Sequence, residues 1–162
     1  TSAVINIPAY NGAFGVSNIF AGCTNLTTVT LNASSANNLS ALRNMFSSAT
    51  PTTITITGMY ENASLWSNAG VFNPVNQATL TNIVFECDIR ANLSVNSCTN
   101  LTFASVVGLL GKLYDYSSGS AKTITFNRSF TGLSQSDYDL IAAAVTTANA
   151  RNWTVAGLTY SM

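Results

Sequence analysis

Short runs in which apolar residues alternate with threonine or asparagine punctuate this chain. They are Ile5-Asn-Ile7, Leu26-Thr-Thr-Val29-Thr-Leu31, Thr53-Ile54-Thr-Ile56, Leu80-Thr-Asn-Ile83-Val-Phe85, Thr123-Ile124-Thr-Phe126 and Trp153-Thr-Val155, with Leu93-Ser-Val95 as a shorter extra candidate. A period of two built on β-branched residues suits a strand with one face buried and one face wet. The leading apolar positions 5, 29, 54, 83, 124 and 153 stand 24, 25, 29, 41 and 29 residues apart. The first three steps fall within the range of about 20–29 residues of leucine-rich repeats.

Two further features point to a repeat. Asn18-Ile19-Phe20-Ala21-Gly22-Cys23 aligns with Asn44-Met45-Phe46-Ser47-Ser48-Ala49, 26 residues later, and each is followed by one of the strand-like runs. Leu26-x-x-Val29-x-Leu31 and Leu80-x-x-Ile83-x-Phe85 fit the L-x-x-L-x-L core of a leucine-rich unit. One such unit cannot bury its apolar side alone, so neighbours must stack. The expected fold is therefore α/β: a leucine-rich-repeat-like solenoid with short parallel strands on one face and helices on the other. It would form a single domain over 1–162, with irregular repeats over 1–96 and a helix-rich capping part over 97–162.

Helical spacing predicts three helices. The run from Asn38 to Phe46 carries Leu39, Leu42 and Phe46, and the run from Thr102 to about Tyr114 carries Val106, Leu109, Leu110 and Leu113 on one face. The third covers about Ser136 to Arg151, with Tyr138, Ile141, Val145 and Ala148 as its stripe. Ser134 and Asp137 are spaced as a capping box, and Leu133 and Tyr138 as a hydrophobic staple. Asp137 and Asp139 lie at the helix's positive end and Arg151 at its negative end.

These residues carry a resemblance. Phe20-x-x-Cys23-Thr-Asn-Leu26-Thr-x-Val29 resembles the F-x-x-C-x-x-L-x-x-I/V repeat of BspA-like leucine-rich-repeat surface proteins. Cys98-Thr-Asn-Leu101-Thr-Phe-Ala-Ser-Val106 resembles the segment that opens the family's penultimate helix. Lys122-Thr-Ile-Thr-Phe126, Leu133-Ser and Ala148-Asn-Ala-Arg-Asn-Trp153-Thr-Val155 resemble its closing strand–helix–strand. The likeness covers roughly residues 13–58 and 80–157. The chain departs from the family at Ala104, where Glu is usual, and at Arg151-Asn152, where Lys-Gly is usual. The resemblance implies a non-catalytic module of a bacterial surface or phage structural protein.

Composition narrows the chemistry. The chain is 47% hydrophobic and 7% charged, with six basic and six acidic residues, against about 25% charged in an average soluble protein. Its polarity resides in 19 Asn, 19 Ser and 21 Thr. A neutral surface gives no electrostatic footprint for nucleic acid and little repulsion between copies. No apolar run approaches the roughly 20 residues of a membrane helix. With Thr rather than Met at position 1, the expectation is that an upstream segment has been removed. The chain has no histidine, which excludes Ser-His-Asp and Cys-His catalysis and histidine-held metal. Cys23, Cys87 and Cys98 match no zinc spacing and are expected as buried thiols. Glu86 and Asp88, with Arg90 next on the same side, are the one candidate pair of carboxylates for glycoside chemistry, and a loop salt bridge is the plainer expectation. Eight N-x-S/T sequons are little more than so many Asn, Ser and Thr give by chance.

The functional expectation is a non-enzymatic structural or adhesive repeat domain of an extracellular, cell-surface or virion assembly, with no cofactor, metal or catalytic residue. A phage tail or fibre component and a surface-filament subunit both fit. Its partners would be further copies or other structural subunits, with no nucleic acid and no membrane insertion. The contrasting expectation is a monomeric module that binds a surface glycan or receptor. The candidate contact residues are Ile5, Ile7, Tyr10, Tyr60, Trp66 and Phe72. The first strand is expected to leave one edge unpaired, so residues 1–20 are expected to form the main contact with a neighbouring subunit, head to tail in a filament, or with an upstream domain now missing.

Overall fold

A computed structural model describes residues 1–6, 20, 22–32, 49–57 and 79–162. It is a mixed α/β arrangement with two parallel sheets and, among the described residues, two helices. The first sheet runs β1 (Ser2–Asn6), β2 (Thr28–Asn32), β3 (Thr53–Thr57), β4 (Asn82–Phe85) in spatial as in chain order. The second contains β5 (Leu93–Ser94), β6 (Lys122–Phe130) and β7 (Trp153–Tyr160), again in chain order. Helix α1 (Phe103–Gly111) precedes β6, and α2 (Gln135–Ala150) joins β6 to β7.

The alternation in sequence becomes register. Ala3, Val29, Ile54 and Ile83 are aligned across the first sheet, as are Ile5, Leu31, Ile56 and Phe85. Val29, Leu31, Ile54, Ile56, Ile83 and Phe85 are buried. Parallel strands of this kind bury one face at each second residue. The core continues through Leu93, Val106, Leu109, Leu110, Ile124, Ile141 and Trp153, so one apolar body underlies both sheets.

Two corrections to the expected register follow. Val29 stands opposite Ala3, two residues before Ile5, and Ile124 stands opposite Val155, with Trp153 opposite Lys122. A period of two is satisfied equally well by a slip of two residues, and only the partner strand chooses between them. The step of 41 residues between positions 83 and 124 also has a cause. Ile124 belongs to the second sheet, beside Leu93, and α1 occupies the flank of β4 where a fifth strand would have lain.

Both helices on the described part match the apolar stripes. In α1 Val106, Leu109 and Leu110 are buried, and Leu113 follows in a parallel bridge to Ile89. Thr102 caps it, its hydroxyl accepting from Ser105 N–H at 3.2 Å. In α2 Ile141 and Ala148 are buried and Tyr138 and Val145 half-buried. Ser134 accepts from Asp137 N–H at 3.2 Å and donates to the Asp137 carboxylate at 2.7 Å. Asp is one methylene too short for the reach of a capping-box Glu back to the cap's own N–H, and it takes the serine hydroxyl here. Past the C-terminus Asn152 adopts φ 63°, the left-handed turn that ends many helices. Asparagine tolerates this conformation better than most side chains. The helix expected over 38–46 lies outside the described residues.

Candidate functional site

The wet face of the first sheet is a lattice of uncharged polar side chains. Ser2, Thr28, Thr53 and Asn82 form one row across the strands. Val4, Thr30, Thr55 and Val84 form the next, and Asn6, Asn32 and Thr57 the third. Pleat geometry separates neighbours by about 4.8 Å across strands and about 6.6 Å along them. Asn32 Nδ2 donates to Asn6 Oδ1 at 3.1 Å, which fixes two amides of the third row. Val4 and Val84 are the exposed apolar positions, at 66% and 43%.

A threonine ladder edges this face. The Thr27, Thr52 and Thr81 hydroxyls donate to the carbonyls of Thr1, Thr27 and Thr52 at 3.1, 3.1 and 3.0 Å. Their backbone N–H groups bond to the same three carbonyls at 2.9 Å each. Thr102 continues the row, with its N–H on the Thr81 carbonyl at 2.8 Å and its hydroxyl on Asn82 Oδ1 at 3.0 Å. Thr27, Thr52 and Thr81 thus each satisfy the carbonyl of the preceding threonine twice and hold the strand starts in line.

A second constellation lies beside the other sheet. The Arg90 guanidinium sits 4.0 Å from the Tyr114 ring centre, and Lys122 Nζ 5.1 Å from that of Tyr116. Tyr114 meets Tyr116 edge-on at 5.0 Å, and Tyr116 lies 6.2 Å from Trp153. The Tyr116 hydroxyl donates to the Arg90 carbonyl at 2.6 Å, and Trp153 Nε1–H donates to the Tyr114 carbonyl at 2.8 Å. The Tyr116 and Trp153 polar ends are thereby engaged inside the protein, and these two hydrogen bonds join three of the cluster's four chain segments. Nothing in the sequence marks it, because its members come from four separated stretches with no common period.

The sequence-derived candidates divide sharply. Ile7, Tyr10, Tyr60, Trp66 and Phe72 lie outside the described residues. So does the side chain of Ile5, whose backbone pairs in register with Leu31. Glu86 and Asp88 follow the end of β4, and Asp88 pairs with Arg90 at 3.5 Å, the loop salt bridge that was the plainer reading of this pair. Among the described residues no group of three or more metal-binding side chains is brought together, and no helix is long and apolar enough to cross a membrane. Of the thiols, Cys98 is buried, Cys87 half-buried and Cys23 exposed, so the expectation of three buried thiols holds for Cys98 alone. Burial pushes the Cys98 thiol up to about 12. Burial, with Asp88 nearby, pushes Cys87 up to about 11. Both are the opposite of an activated nucleophile.

No family model, curated protein or solved structure matches the chain. What the residues themselves offer is a neutral polar sheet face, an adjoining open strand edge, and at that edge a shallow cavity of about 400 Å³ bordered by Thr1, Ala3, Phe20, Cys23, Asn25 and Leu26.

Proposed function

We propose that this chain is a non-enzymatic, structural or adhesive repeat domain of an extracellular or virion assembly, built as a leucine-rich-repeat-like solenoid of the BspA-like kind. The observation that carries the proposal is the threonine ladder. One hydroxyl-to-carbonyl bond recurs at sequence separations of 26, 25 and 29 residues. A recurring bond at a recurring spacing is what stacked repeat units produce. The second support is the exposed surface, on which strand after strand presents Thr, Asn and Ser without a charge. Such a face makes many weak neutral contacts and suits a subunit or a glycan better than a charged ligand.

Deleting this domain from its parent particle or cell tests the reading. Loss of particle assembly or of surface attachment is expected, with metabolism unchanged. Intact assembly and attachment in the deletion strain would overturn it.

The neutral face also favours a second reading, a glycan- or receptor-binding module. Rows of hydroxyls and amides about 4.8 Å apart can exchange hydrogen bonds with sugar hydroxyls. Binding on a glycan array that is lost in Thr30→Lys/Thr55→Lys would favour this reading. An empty array would remove it.

A further inference from the structure

The two edges of the first sheet are finished differently. At β4 the outward Ile83 N–H and carbonyl are taken by the Ser105 hydroxyl, at 2.9 and 3.3 Å, and α1 lies along that flank. At β1 the bonding alternates as parallel pairing requires. The Thr1 carbonyl accepts from Thr27 and Thr28 N–H at 2.9 and 3.4 Å, so Thr1, Ala3 and Ile5 address β2, and Ser2, Val4 and Asn6 direct their backbone groups outward. Among the described residues nothing pairs with this outer edge. It carries no charge and no proline, the usual devices that blunt an edge, and Val4 is 66% exposed.

We propose that β1 pairs antiparallel with β1 of a second copy, about a two-fold axis through Val4. Three features single out a second copy. Antiparallel pairing centred on Val4 sets Val4 against Val4 and Ser2 against Asn6, apolar on apolar and polar on polar. The outward residues then all meet in hydrogen-bonded pairs. The chain has formal net charge +0, so copies do not repel. The β4 edge is sealed by Ser105 and α1, so this sheet cannot continue head to tail. Two open edges of the same kind close on each other instead, which makes an isologous dimer. The product is one eight-stranded sheet whose polar face is twice as wide. This deepens the assembly reading and rests on it. A monomer would overturn the pairing alone and leave the domain's place on a particle or cell untouched.

Sedimentation of residues 1–162 across the micromolar range, with reductant to keep Cys23 from cross-linking, tests the pairing. A mass twice the 17.0 kDa of one chain is expected. Val4→Lys places like charges directly opposite each other and should return the monomer with an unchanged circular dichroism spectrum. Mixing Val4→Lys with Val4→Glu should restore the dimer. A wild-type monomer at every concentration, a Val4→Lys dimer, or a mass that grows steadily past two chains would each overturn the proposal.

Discussion

Ser105 stands in for a strand beside Ile83. Its hydroxyl accepts from the Ile83 N–H at 2.9 Å and donates to the Ile83 carbonyl at 3.3 Å, the two bonds a fifth strand would have made. Ser105 is the one buried polar side chain among the described residues, at 6% exposure. One hydroxyl thus ends a sheet whose first four strands are otherwise alike.

Removing that hydroxyl leaves a buried donor and acceptor unmatched. Ser105→Ala should lower stability by about 1–3 kcal/mol, read as an earlier midpoint in urea with an unchanged slope. Amide exchange at Ile83 should accelerate in the variant. Equal exchange rates in the two proteins would show that the bond does not protect this edge.

The bulge in the second sheet sets a sharper test. The β6–β7 register shifts between Thr125 and Arg128, and Gly157 faces the shift with φ 67°. A Cβ on Gly157 would lie 2.1 Å from the Phe126 carbonyl oxygen, whereas one on Gly132, at φ 66°, would meet nothing within 4 Å. Gly132→Ala therefore carries only the left-handed penalty, about 1–2 kcal/mol. Gly157→Ala adds a backbone clash and should cost at least about 3 kcal/mol. Similar melting temperatures for the two variants would contradict the bulge geometry.

Trp153 joins the packing of the core to the aromatic fastening. Trp153→Phe loses the bond to the Tyr114 carbonyl and part of the ring, and should cost about 1–3 kcal/mol. Trp153→Ala also opens a cavity, for about 3–5 kcal/mol. A chemical-denaturation series of the two variants checks the order, and an equal loss in both would place the effect elsewhere.

The thiols give a pH dependence with a definite sign. The folded values of Cys87 and Cys98, about 11 and about 12, lie above the ordinary value of 9.0. Above pH 9 the unfolded chain loses these protons before the folded chain does, so stability is complete below pH 9 and falls as pH rises toward 11 and 12. Alkylation at pH 8 should mark exposed Cys23 first, Cys87 slowly, and Cys98 only on unfolding, as read by mass spectrometry. Rapid labelling of Cys98 in the folded protein would contradict its burial.

Much of the fold is legible in the sequence because the buried face repeats. Val29, Ile54 and Ile83 mark three strands by alternation alone, and they are neighbours. Ser134 announces its helix by cap chemistry, whereas the Thr102 cap on the other helix is seen only once the chain is folded. Register at Ala3 and Val155 is not legible, since alternation leaves a two-residue slip free. Nor is the switch from the first sheet to α1 beside β4. It turns on Ser105, a serine like 18 others in the chain until Ile83 is placed against it. The site is less legible still. The lattice of Thr30 and Thr55 reads in sequence as ordinary strand composition, and it becomes a surface only when the strands are aligned.

Immunogold electron microscopy of intact source cells or particles, with antibody raised against residues 1–162, tests the central claim most directly. The account predicts gold on the outer surface, with label accessible before permeabilisation. Label confined to the interior, and reached only after permeabilisation, would contradict it.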